Sequence, residues 1–118
     1  MKTQDFYEKS VVVIVGDHLT MNNRFTKEMD RKPINIFLNT PVAAVNTKNR
    51  IFTPFDIYPS IVESLGAKID GHRLGLGTSL FSDLPTLTEG KMTVEEMDVN
   101  VRKKSKIYDW MLYGKDVH

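Results

Sequence analysis

Val11-Val12-Val13-Ile14-Val15-Gly16-Asp17-His18 is the stretch on which the fold of this chain turns. Five consecutive β-branched apolar residues read as a strand covered on both faces, the kind found in parallel sheets flanked by helices. The expected fold class is therefore α/β with parallel-type strands. Sheets of that kind bind ligands at the carboxyl ends of their strands. Gly16 is expected to let the backbone turn sharply there and aim Asp17 and His18 into the crevice above the sheet. A carboxylate and an imidazole side by side at a strand exit are a candidate pair of divalent-metal ligands. The competing reading is an Asp that caps a turn beside a surface His.

Outward from this strand, Met1–Tyr7 reads as the end of a helix whose start lies upstream, so the chain is expected to be a fragment. Residues 17–32 are polar and read as a loop walling the crevice, where Asn22 and Asn23 are candidate substrate contacts or turn formers. Pro33 opens a second strand, Ile34–Asn39, which Thr40-Pro41 ends. Residues 42–52 alternate weakly and predict a hairpin or an exposed excursion.

A helix follows. With Asp56 as its cap, Pro59 falls in the first turn, where a missing N–H costs nothing. Thr53 with Asp56 offers an alternative capping box that sets Pro59 deeper. The first register is sterically easier. In either, Ile57, Ile61 and Leu65 beside Tyr58 and Val62 predict an apolar stripe packed on the sheet, and Gly66 a stop. Leu74–Phe81 is glycine-rich but lacks the spacing of a phosphate loop, so it reads as an extended, bent segment. Thr93-Val94-Glu95-Glu96 is a capping box that opens one long C-terminal helix, ended by Gly114.

Composition bounds the rest. The 118 residues are 41% apolar and 26% charged, enough for one soluble globular core. Net charge is +1, which offers no global field for nucleic acid or an anionic membrane. Arg102-Lys103-Lys104 reads as a solvated helix face, and Tyr108, Trp110 and Tyr113 as packing or a contact surface. The chain has no cysteine, which excludes thiolate metal sites and cysteine nucleophiles. Its longest apolar run falls far short of the roughly 20 residues that span a bilayer. His72, in the turn Asp70-Gly71-His72-Arg73, reads as an exposed loop histidine, and His118 as a terminal one. No G-x-S-x-G or other nucleophile signature is present, so no catalytic nucleophile is expected within these residues.

Four blocks in order, VVVIVGDHLTMNN from Val11, PINIFLNTP from Pro33, FTPFDIYPSIVESLG from Phe52 and LGLGTSLFS from Leu74, resemble the C-terminal part of the sulfatase-type branch of the alkaline phosphatase superfamily. Within it the chain looks most like phosphoglycerol transferases, the group of lipoteichoic acid synthases and membrane-oligosaccharide glycerophosphotransferases. Leu19–Asn23 is closer to the oligosaccharide-modifying members. The resemblance implies a partial alkaline-phosphatase-like sandwich, residues 1–118 being the C-terminal segment of a larger catalytic domain. It implies Asp17 and His18 as ligands of a divalent metal, manganese, magnesium or zinc, with a threonine nucleophile outside this chain. It implies phosphatidylglycerol as donor, a cell-envelope glycan or polymer as acceptor, and an extracytoplasmic site on the bacterial membrane reached through an N-terminal anchor. Two other readings stay open: a sulfatase or phosphatase that passes the intermediate to water, and a non-catalytic α/β interaction module.

Overall fold

A computed structural model describes residues 6–19 and 32–114. These form a mixed α/β arrangement of two small antiparallel sheets and four helices. Strand β1 (Val12–Val15) follows a single 3-10 turn at Tyr7–Lys9. It pairs antiparallel with β2 (Asn35–Leu38), Val13 opposite Phe37 and Ile14 opposite Ile36. This departs from the parallel-type pairing expected from the Val11–Val15 run. An apolar run reports how a strand's faces are covered, whereas the neighbour's direction depends on the connection, which the run does not encode. Nor is β1 covered on both faces among the described residues, since Ile14 and Val15 are exposed. β2 alternates, Asn35 and Phe37 half-buried, Ile36 and Leu38 outward. Phe37 meets Phe81 edge to face at 5.4 Å, which ties the sheet to the rest of the molecule. Asn39, in the left-handed region at φ 58°, donates to the carbonyls of Tyr7 and Ser10 at 2.7 and 2.8 Å. The exit of β2 is thereby fastened to the entry of β1.

Residues 42–52 form no strand. At the end of this segment Ile51 is bonded far along the chain: its N–H donates to Glu89 Oε1 at 3.0 Å, and its carbonyl accepts from Thr86 Oγ1 at 2.6 Å. The main-chain groups of Ile51, taken by a distant helix cap, are not left for a local ladder.

Helix α1 (Pro54–Ser64) takes the Thr53 register. Thr53 is the N-cap, and its N–H and hydroxyl both donate to Asp56 Oδ2, at 2.8 and 3.1 Å. Pro59 consequently sits inside the helix, against the expectation that Asp56 caps it. The missing Pro59 N–H leaves the Phe55 carbonyl without its helical donor. That carbonyl is approached by Gly77, where a Cβ would lie only 1.9 Å from Phe55 O. Gly77 belongs to β4 (Gly77–Thr78), which pairs with β3 (Arg73–Leu74) in a tight hairpin turning at Gly75, φ 58°. The extended, bent segment expected over 74–81 is instead a reversal, with only Leu74, Gly77 and Thr78 in strands.

The face of α1 that is buried is the polar one. Asp56, Ser60, Glu63 and Ser64 face inward, while Tyr58 and Leu65 of the expected apolar stripe are exposed. Small residues explain the inversion: Ser60 and Ser64 on the helix and Gly77, Thr78 and Ser79 on the strand let the two backbones approach until side-chain oxygens reach main-chain groups. Asp56 Oδ1 accepts from Thr78 N–H at 2.7 Å, and Ser60 Oγ from Leu80 N–H at 2.8 Å. Phe81 and Met97 are the buried hydrophobic residues of the described part. No buried side-chain nitrogen or oxygen there lacks a partner.

The long helix expected from Thr93 is instead two, and a short helix precedes them. α2 (Leu87–Gly90) has its own capping box, Thr86 with Glu89. α3 (Val94–Val101) starts from the Thr93–Glu96 box as expected. α4 (Lys106–Tyr113) restarts at Ser105, whose hydroxyl accepts from Tyr108 N–H at 3.2 Å, and ends at Gly114 with φ 63°. Ser105 competes as a cap and breaks the run.

Candidate functional site

Asp17 and His18 emerge where β1 ends. Gly16 keeps the ladder going one step further, its N–H donating to Ile34 O at 2.8 Å. Its φ is not in the left-handed region. What the position requires is room, because a Cβ would stand 3.1 Å from Pro33 Cβ. Gly16 thus permits close strand packing rather than a sharp turn, and the two side chains beyond it project into solvent, 88% exposed for Asp17 and 64% for His18.

Their mutual geometry is specific. His18 Nδ1 lies 2.8 Å from the Leu19 carbonyl, which can only accept, so Nδ1 is the donor there and Nε2 is the ring nitrogen left for a ligand role. That free nitrogen is 3.6 Å from Asp17 Oδ2. Two ligands bound at about 2.0–2.2 Å in a tetrahedral shell stand roughly 3.4 Å apart, so the pair is spaced for one cation. The donor set, one carboxylate oxygen and one imidazole nitrogen, fits zinc or manganese. Two ligands make half a shell, and among the described residues no third His, Cys, Asp or Glu joins them.

Beside Asp17 runs a cleft of about 680 Å³, lined by Asn35, Asn49, Arg50, Thr53 and Ile57 among others. Two of its polar residues are already committed. Thr53 is spent on Asp56. Arg50 donates through Nε to both oxygens of Glu89 (2.8 and 3.1 Å) and through its Nη atoms to the carbonyls of Ser82 and Leu84. Burial pushes the Glu89 carboxyl up, but the Arg50 hydrogen bonds, the N–H groups of Thr86 and Ile51 and the guanidinium charge outweigh it, and the net pKa is lowered. Arg50 is a structural clamp on the cleft wall. Its role was missed in the sequence, where it falls in the weakly alternating stretch 42–52; the Thr86-x-x-Glu89 spacing, a capping-box pattern that was not singled out, is the signal that marks its partner.

His72 is on a turn, as expected, with φ 56°, but its ring is not idle. Nδ1 lies 2.7 Å from Oε1 of Glu63, a carboxylate only 7% exposed, at the edge of a cavity of about 750 Å³. This ties the turn to α1. Asn22, Asn23 and His118 lie outside the described residues.

The chain matches no family model, no curated protein and no solved structure. The functional reading accordingly stands on the residue blocks and on the pair at the β1 exit.

Proposed function

We propose that this chain is the C-terminal segment of a metal-dependent phosphoglycerol transferase, moving phosphoglycerol from phosphatidylglycerol to a cell-envelope glycan or polymer at the extracytoplasmic face of a bacterial membrane. One observation carries the reading: the Asp-His pair at a strand exit, its two free ligand atoms 3.6 Å apart, opening the first of four ordered blocks that resemble that family. A partial alkaline-phosphatase-like sandwich is the architecture this reading implies.

Asp17 and His18 would hold the divalent metal, which in such enzymes lowers the pKa of a bound hydroxyl and offsets charge developing on phosphoryl oxygens. Asp17 brings the negative charge that neutralises a dication. His18 is oriented by its own Nδ1–H bond to Leu19, so Nε2 needs no rearrangement to act as a ligand. The cleft beside Asp17 is wide enough for a glycerol-sized or sugar-sized group. The threonine nucleophile, on this reading, comes from outside these residues: its oxygen would displace diacylglycerol from the donor's phosphorus, and an acceptor hydroxyl would then displace the threonine oxygen from the covalent phosphoglycerol adduct.

Calorimetric titration of the full-length protein with Mn²⁺ tests the assignment. Saturable binding is expected, and its loss in both Asp17→Ala and His18→Ala. Undiminished binding in the two variants contradicts it. Assay with water against glycan acceptor separates transfer from the hydrolysis that a sulfatase or phosphatase would perform.

A further inference from the structure

In the cleft beside Asp17 the basic side chains are engaged and the amides are not. Arg50 is bound to Glu89, Ser82 and Leu84, and Lys32 is engaged as well. Two asparagines remain. Val15 pairs with Asn35, which puts these side chains on one face of the sheet, and both line the cleft with Asp17. The Asn35 amide donates from Nδ2 to Pro33 O at 3.3 Å, which leaves its Oδ1 as an acceptor. Asn49 is exposed and lines the same cleft, and among the described residues its side chain makes no hydrogen bond. The two residues after it are fastened, Arg50 to Glu89 and Ile51 to both Glu89 and Thr86. An uncommitted amide on so firm a mount is held ready for a ligand.

Resting on the phosphoglycerol-transferase reading, which leaves glycan and polymer acceptors open, we propose that Asn35 and Asn49 bind hydroxyl groups of the acceptor and that the cleft selects a pyranose sugar. Amides offer donors and acceptors without charge, which is what a neutral polyol requires. A phosphate group is the poorer fit at this wall, because its guanidinium, Arg50, is already bound to Glu89. Half-buried Phe52 and Ile57 supply the second feature. A pyranose ring has a C–H face that packs on an aromatic or aliphatic wall while its rim hydroxyls reach polar groups. Glycerol has no such face. The volume of about 680 Å³ is that of a small-molecule site, and Asp17 on its border brings a bound sugar beside the Asp-His pair. Both asparagines hold the acceptor, and neither takes part in making or breaking a bond.

The full-length protein is assayed for transfer from phosphatidylglycerol to methyl glucoside or to glycerol, and methyl glucoside binding is followed separately by saturation-transfer NMR, which needs no turnover. The parent should have the lower KM for the glucoside, by at least about fivefold. Asn49 has φ 60°, a backbone that by itself favours Asn or Gly. Asn49→Gly therefore keeps the backbone and removes only the amide. It should raise the glucoside KM by about five- to tenfold, the loss of one hydrogen bond, with kcat and the KM for phosphatidylglycerol within about twofold, and it should weaken the NMR signal. Asn35→Ala should act in the same direction, and Phe52→Leu should raise the glucoside KM while sparing that of glycerol. A parent that transfers phosphoglycerol while Asn49→Gly keeps the parental glucoside KM overturns the role of Asn49, and an equal or lower KM for glycerol overturns the choice of a sugar. A parent that binds the glucoside yet transfers to neither acceptor overturns the transferase reading and not the sugar site. Absence of both binding and transfer overturns both.

Discussion

The α1–β4 centre and the exit of β1 use the same kinds of residues in opposite ways. In the centre, Asp56 is 2% exposed and both of its oxygens are consumed, Oδ2 by Thr53 and Oδ1 by the Thr78 N–H. At the strand exit Asp17 is almost fully exposed, and its polar neighbour among the described residues is His18 Nε2, beyond hydrogen-bond distance. A buried carboxylate that satisfies main-chain donors is structure. An exposed one that reaches no main-chain group carries no comparable share of the fold, and that is the ground on which it is proposed as a ligand.

The contrast is broken most severely at Gly77. Gly77→Ala puts a methyl group against the Phe55 carbonyl, and since both sides of the contact are backbone, the helix and hairpin must separate. A loss of about 3 kcal/mol or more is expected in denaturant unfolding. Asp56→Ala comes next, leaving the buried Thr78 N–H without an acceptor and the α1 cap undone, for about 2–3 kcal/mol by the same measurement. Glu89 gives a pH signature. Its folded-state pKa lies below the ordinary carboxylate value of 4.5, so its contribution is complete above that pH and disappears as pH falls through the lowered value. Thermal unfolding between pH 6 and pH 3, pH values spanning the carboxylate range of about 4, should show a smaller acid loss in Glu89→Gln than in the parent. At the far end of the scale, His18→Ala and Asp17→Ala should each change stability by less than about 0.5 kcal/mol. A large destabilisation by either would mean that the pair belongs to the frame after all.

What could be read from the chain follows the same division. Local signals were legible: the Thr93–Glu96 box, the Gly114 stop, the helix after Phe52 and the placement of Asp17 and His18 at a strand end. The start of α1 was ambiguous between two caps. The Thr53 register prevails because Asp56 then serves both the helix N-terminus and β4, a contact across 22 positions that no local rule sees. The buried face of α1 was misread for the same reason. Ile57, Ile61 and Leu65 have the spacing of a core stripe, yet small residues at 77–79 draw in Ser60 and Ser64 instead. Arg50 and Glu89 are 39 positions apart, and only one of them carries a signature. Strand direction was lost because five β-branched residues in a row say nothing about their neighbour.

The central claim is that Asp17 exists for chemistry and not for the fold. Phosphoglycerol transfer from phosphatidylglycerol by the full-length protein, compared between parent and Asp17→Ala, tests it most directly, with thermal unfolding measured on the same samples. The account predicts an unchanged melting transition and a loss of transfer of at least about 100-fold, on the scale of a removed metal ligand. A fully active Asp17→Ala protein would contradict it.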